Sequence, residues 1–171
     1  GETAIGIDPD KVGVELGVTS VIDAGTSGAD TFEDFYNRII KNSKTKVFAF
    51  LNIASLGLKT LNELNDMSNI DFEKIKKIVE KYKGTIVGIK ARASASVVGE
   101  NGIAPIKKAK EIAKELGIPI MVHIGNAPPK VEEVLNLLEK GDIVTHCYHN
   151  KENNLVKDIG MLEEALEAKK S

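Results

Sequence analysis

This chain is short of most of the features that give a protein's business away. It has one cysteine, Cys147, in 171 residues. That excludes an internal disulfide and a cysteine-built zinc site, and it points to a reducing compartment. Neither sign of charge dominates: 23 basic residues face 25 acidic ones, for a net charge of −2. With no basic stripe and no acidic tail, neither nucleic acid nor a basic partner is indicated. No apolar run is long enough to span a membrane. The opening residues Gly1 to Gly6 lack the basic region and apolar core of a signal peptide, so the expected location is cytoplasmic. Low-complexity tracts and linkers are missing as well, and residues 1–171 are expected to form a single domain. Aromatics are scarce at 5%, yet 42% apolar and 28% charged residues describe a globular chain, neither disordered nor fibrous.

What is present is an alternation of apolar runs and amphipathic stretches. Five runs read as strands, at about 18–23, 46–52, 85–91, 119–124 and 142–147. Asp8-Pro9 caps a first helix that runs through Leu16 to Gly17, and Thr31 caps a second carrying Phe32, Phe35, Tyr36, Ile39 and Ile40. Residues 53–70 have weak periodicity and read as a loop with a short helix near 60–64. Asp71 to Lys83 is amphipathic and ends at Gly84. The stretch 94–102 reads as a polar loop. Helices at 103–116, 130–139 and 161–170 complete the chain, with 149–159 as loop. Strict strand–helix alternation predicts an all-parallel sheet with right-handed crossovers.

Three of the strands share a design. Thr85-Ile86-Val87-Gly88-Ile89-Lys90 carries a lysine near its carboxyl end. Pro119 to His123 and Asp142 to His146 each end on histidine. The three groups are separated by 33 and then 23 residues, room enough each time for a helix and the return to a neighbouring parallel strand. They therefore gather at one end of the sheet, where parallel α/β folds keep their chemistry. By alternation Lys90 shares a face with Ile86, Gly88 and Arg92, His123 with Met121, and His146 with Val144 and Tyr148, while Cys147 turns to the core. Gly88 leaves room beneath the lysine. An unpaired buried lysine is costly. Carbamylation by CO₂ would neutralise it and make a metal-bridging carboxylate; a Schiff base with a carbonyl substrate is the other route.

The segments Ile-Lys-Ala-Arg, Met-Val-His-Ile-Gly and Thr-His-Cys-Tyr-His, in this order and spacing, resemble the amidohydrolase superfamily. The nearest likeness is to its dihydroorotase-like deacetylases. Gly-Ile-Asp-Pro-Asp, Gly-Val-Thr-Ser-Val-Ile-Asp-Ala-Gly and Ser-Ala-Ser-Val-Val-Gly-Glu-Asn-Gly are similar to that group too. The resemblance implies a TIM-type (β/α)₈ barrel holding two divalent metals, often zinc, and hydrolysis of a small-molecule amide. Carried over residue by residue, Lys90 is the carbamylated bridging lysine, and His123 and His146 are ligands to one metal. Arg92 would bind a carboxylate of the substrate; a structural ion pair at the strand end is its other reading.

Two motifs of the family find no match. There is no His-x-His pair, since the histidines are only His123, His146 and His149. No aspartate corresponds to the general base, which is expected outside this chain. A closed barrel takes about 250 residues. The expectation is therefore a partial barrel, strands two to six of a larger enzyme, inactive by itself and with its metals absent or incomplete. A Schiff-base lyase using Lys90 and a non-catalytic scaffold are the alternatives. Unpaired first and last strands would favour self-association, so a homo-oligomer is expected.

Overall fold

The computed structural model describes residues 6–157 and 160–170. The sequence reads as a loop over residues 1–8, of which 1–5 lie outside these, as do 158–159 of the loop expected at 149–159. Five strands form one parallel sheet: β1 Ser20–Asp23, β2 Lys46–Asn52, β3 Ile86–Ala93, β4 Ile120–Ile124 and β5 Ile143–Thr145, in unbroken order from β1 to β5. A doubly wound sheet reverses its order at a switch point; an unreversed order is the winding of a barrel. The sheet curls as half a barrel, with helices α1 Pro9–Val12, α2 Phe32–Arg38, α3 Phe72–Lys81, α4 Ala95–Val98, α5 Ala104–Glu115, α6 Val131–Leu135 and α7 Glu163–Lys170 among its connections. A small antiparallel ribbon, β6 Val156–Lys157 with β7 Gly160–Met161, interrupts what reads in sequence as a plain loop.

Alternation sorts the side chains. Ile89, Ala91 and Ala93 of β3 and Ile120, Val122 and Ile124 of β4 join one buried core with Ile106, Ala109, Ile112 and Ala113 of α5. Those α5 positions recur at three and four residues, so one stripe of the helix is apolar. Burial of each isoleucine contributes about 1.5–3 kcal/mol. Around α2, Phe32 and Tyr36 meet Tyr82 with ring centroids 5.1 and 4.6 Å apart. The opposite, interior face of the sheet carries Phe50, Asn52, Gly88, Lys90, Arg92, Met121 and His123.

Several local expectations need correction. The first helix does not run to Leu16: it breaks at Gly13, where a Cβ would lie 2.2 Å from Thr45 Oγ1, and resumes as a 3₁₀ turn over Val14–Leu16. No helix forms at 60–64; 3₁₀ turns at Gly57–Lys59 and Met67–Asn69 take its place. The stretch 94–102 holds α4 and a further 3₁₀ turn. The helix expected to reach residue 139 ends at Leu135. The open edges do occur, at β1 and β5, where Ile22 and Ile143 are exposed. Among the described residues no helix is long and apolar enough to cross a membrane.

The end of the sheet away from the histidines is tied by Asp142. Its carboxylate accepts from Ile120 N at 3.0 Å and Glu139 N at 2.8 Å and pairs with Lys110 Nζ. Asp142→Ala strands two backbone donors and leaves the Lys110 ammonium with Glu139 alone, at 3.3 Å. It is expected to cost about 2–4 kcal/mol, read as a lower urea midpoint with an unchanged m-value.

Candidate functional site

Lys90 stands on the interior face of β3. Its strand neighbours in register are Asn52 of β2 and Met121 of β4. Arg92, two residues nearer the carboxyl end, is level with His123, and His123 is level with Thr145. His146 lies one residue past β5. It is the one non-glycine with positive φ, at 63°, among the described residues. That left-handed turn corrects the assumption that His146 continues the strand's alternation with Tyr148, which is exposed. Histidine tolerates this conformation better than most residues, and such turns concentrate at functional sites. The turn brings the His146 ring edge-on to His123, with centroids 4.7 Å apart. Cys147 packs at the edge of the core as expected, its thiol donating to Val144 O.

The electrostatics suit neutral nitrogens. Lys90 is 5% exposed. Burial first, then the charge of Arg92, pulls its pKa down to about 8, while Glu63 opposes the shift. Burial likewise takes His123 to about 3, helped by Lys90, His146, Arg92 and Lys151. His146 is lowered by its own burial and by Lys90, His149 and Lys151. Both imidazoles are therefore unprotonated at neutral pH, as a metal ligand must be. A side chain at Gly125 would come within 2.6 Å of Ser94 Oγ and 3.4 Å of His123 Nε2. Glycine there keeps that nitrogen uncovered. Two neutral imidazoles, one of them uncovered, beside a near-neutral amine fit a divalent cation's donor preferences. Among the described residues no three His, Cys, Asp or Glu side chains converge in this way, so the set would have to be completed by anionic ligands.

The room expected beneath the lysine is filled. A Cβ at Gly88 would meet Phe50 Cε1 at 2.4 Å: glycine is there to admit the phenyl ring. Arg92 is engaged by the irregular segment 53–70. Its Nε lies 3.0 Å from Glu63 Oε1, and its Nη2 donates to Leu61 O at 2.9 Å. The Nε–carboxylate contact is an ion pair whose angle falls short of a hydrogen bond. Glu63 is 2% exposed, and no periodic pattern in its surroundings announces it. Asn101 braces the same segment through Leu64 O and Asn65 O. His149 accepts from Lys151 N through Nδ1, and its Nε2 is buried.

No protein-family model matches the chain. A deacetylase of Enterococcus faecalis is 47% identical over 149 residues, which are 86% of this chain and 40% of that protein. A deacetylase of Brucella anthropi is 42% identical over 161 residues, 92% of this chain and again 40% of the relative. The chain thus spans about two-fifths of the length of the curated relatives it matches. The crystal structure of an adenine deaminase superposes with a TM-score of 0.94 at 43% identity, covering 99% of this chain and 47% of that one. A dihydroorotase superposes with a TM-score of 0.86 at 42% identity, covering 90% and 41%. Both are barrel enzymes of one superfamily. With its unreversed parallel strands and with these sequence and structural likenesses, the chain belongs to the amidohydrolase superfamily.

Proposed function

We propose that the protein to which this chain belongs is a metal-dependent amidohydrolase acting on the amide bond of a small N-acylated molecule. The observation that carries the reading is the meeting of the His123 and His146 rings at 4.7 Å beside the buried amine of Lys90. His123 and His146 would hold a divalent metal, zinc by preference for neutral imidazole. Lys90, with its pKa near 8, has enough free amine at neutral pH to take up CO₂ and present a carbamate, one of the anionic ligands the site needs for a second cation. A metal held there would supply Lewis acidity for the amide carbonyl and a water activated near neutral pH. Arg92 keeps guanidinium donors beyond those used by Glu63 and Leu61, and these would receive a carboxylate of the substrate. The chain alone is proposed to be inactive, since the family's general-base aspartate corresponds to none of its residues. Self-association through the β1 and β5 edges remains part of the proposal and is read on a sizing column.

The test uses the longer protein. Chelation is expected to abolish hydrolysis of N-acetyl amino acids, and zinc to restore it. Activity that survives complete metal removal would overturn the reading. A depressed lysine pKa also suits Schiff-base chemistry, so borohydride with a carbonyl substrate is the discriminating arm. No mass increase at Lys90 is expected; a reduced adduct there would favour the lyase reading.

A further inference from the structure

We propose that the turn after β1, Asp23–Thr26, is a clamp that fixes the direction of Lys90, with Gly25 as its point of contact. A Cβ built on Gly25 would lie 2.3 Å from Lys90 Cγ, 2.4 Å from its Cβ and 3.5 Å from its Cδ. These atoms are close to the β3 backbone and cannot swing aside as the tip of a long side chain can. The Gly25 main chain therefore presses on the root of the lysine and leaves one course for the rest of the stem. The φ of +91° at Gly25 excludes other residues a second time.

The clamp is itself held from three sides. Asp23 Oδ1 accepts from Gly25 N at 3.0 Å and Thr26 N at 2.7 Å, and Oδ2 accepts from Thr26 Oγ1 at 2.6 Å. Gly25 O accepts from Asn52 Nδ2 at 3.1 Å, and Asn52 Oδ1 accepts from Ala54 N at 2.9 Å. Asn52 is 1% exposed and is the β2 neighbour of Lys90 in register. On the outer side, Leu58 N donates to Thr26 O at 2.9 Å. The hydrogen bonds that shape the turn thus refer its position to the strand beside the lysine. Asp23, Gly25 and Asn52 act on the site through Lys90: they are positioning residues.

The readout is reductive methylation of the chain followed by peptide-resolved mass spectrometry, with Lys110 at the far end of the sheet as the internal reference. Modification of a buried amine waits on local opening. Gly25→Ala is expected to raise the Lys90 rate by about tenfold or more while Lys110 is unchanged. Gly117→Ala is the control: it has φ +66° and nothing within 4 Å of an added Cβ, so it carries the same kind of backbone strain with no lysine to displace. It should leave both rates alone. Asp23→Ala loosens the turn without adding atoms, and should raise the Lys90 rate about threefold. If Gly25→Ala fails to fold, Asp23→Ala decides. A Lys90 rate equal to wild type in the folded variants overturns the clamp. The inference rests on the proposed function only for what Lys90 is for. If Lys90 is freed by these substitutions while the longer protein binds no zinc, the clamp is supported and the metal reading falls.

Discussion

Alanine at His123 or at His146 is expected to weaken zinc binding to this chain by about 100-fold or more, because removing merely an outer-shell partner of a ligand costs about 10–100-fold. The two rings face one another at 4.7 Å. Burial and the neighbouring cations keep both free of protons at neutral pH, so neither has to lose a proton before it binds. The two variants should lose affinity to a similar extent, since one metal needs both nitrogens. Their double variant should be little worse than either, the behaviour of residues that act as one unit. Lys90→Ala should affect this first cation less, because an amine becomes an anionic ligand only after CO₂ is added. Competition with a chromophoric chelator measures all four. Affinity that is unchanged in His123→Ala, or losses that simply add, would remove the histidines from the centre.

Much of this arrangement is legible in the residues themselves. β2 falls on the expected 46–52 because Val47 to Leu51 is a short unbroken apolar run with polar residues on either side. Lys90 and His123 are placed correctly because strand position alone decides where such groups emerge. His146 shows where the rule ends. β5 is only three residues long, and a left-handed turn, which no period describes, aims the imidazole. The 53–70 segment is opaque for a related reason. Its order comes from isolated contacts, such as Arg92 Nη2 to Leu61 O and Asn101 Nδ2 to Leu64 O, each at 2.9 Å. These depend on distant partners and leave no periodicity. Glycines follow the same division. A C-terminal helix stop such as Gly117 is a local signal, whereas Gly25 and Gly88 are dictated by Lys90 and Phe50, side chains far away in sequence.

Arg92→Ala is expected to destabilise the fold by about 3–5 kcal/mol, the range for removing one partner of a buried pair. The value should fall towards the lower end, because the Arg92 side chain is 17% exposed and that of Glu63 only 2%. The loss is not chiefly that of an attraction. It is the cost of leaving the Glu63 carboxylate in a dry site without its ion-pair partner, and the Leu61 carbonyl without its donor. Two further measurements separate this from lost packing. First, adding Glu63→Leu to Arg92→Ala should recover about half of the deficit or more, because the orphaned charge is gone; purely additive losses would mean the pair is not coupled. Second, burial already holds the Glu63 pKa above its ordinary 4.5, with Arg92 among the groups that oppose the shift. Without Arg92 the pKa rises further. An acid whose folded pKa exceeds its unfolded value keeps its proton longer in the native state, so stability is lost as pH rises through that interval. Arg92→Ala should therefore lose unfolding free energy from about pH 4.5 upward more steeply than wild type, and a parallel pH profile for the two proteins would show that Glu63 does not depend on Arg92 for its charge.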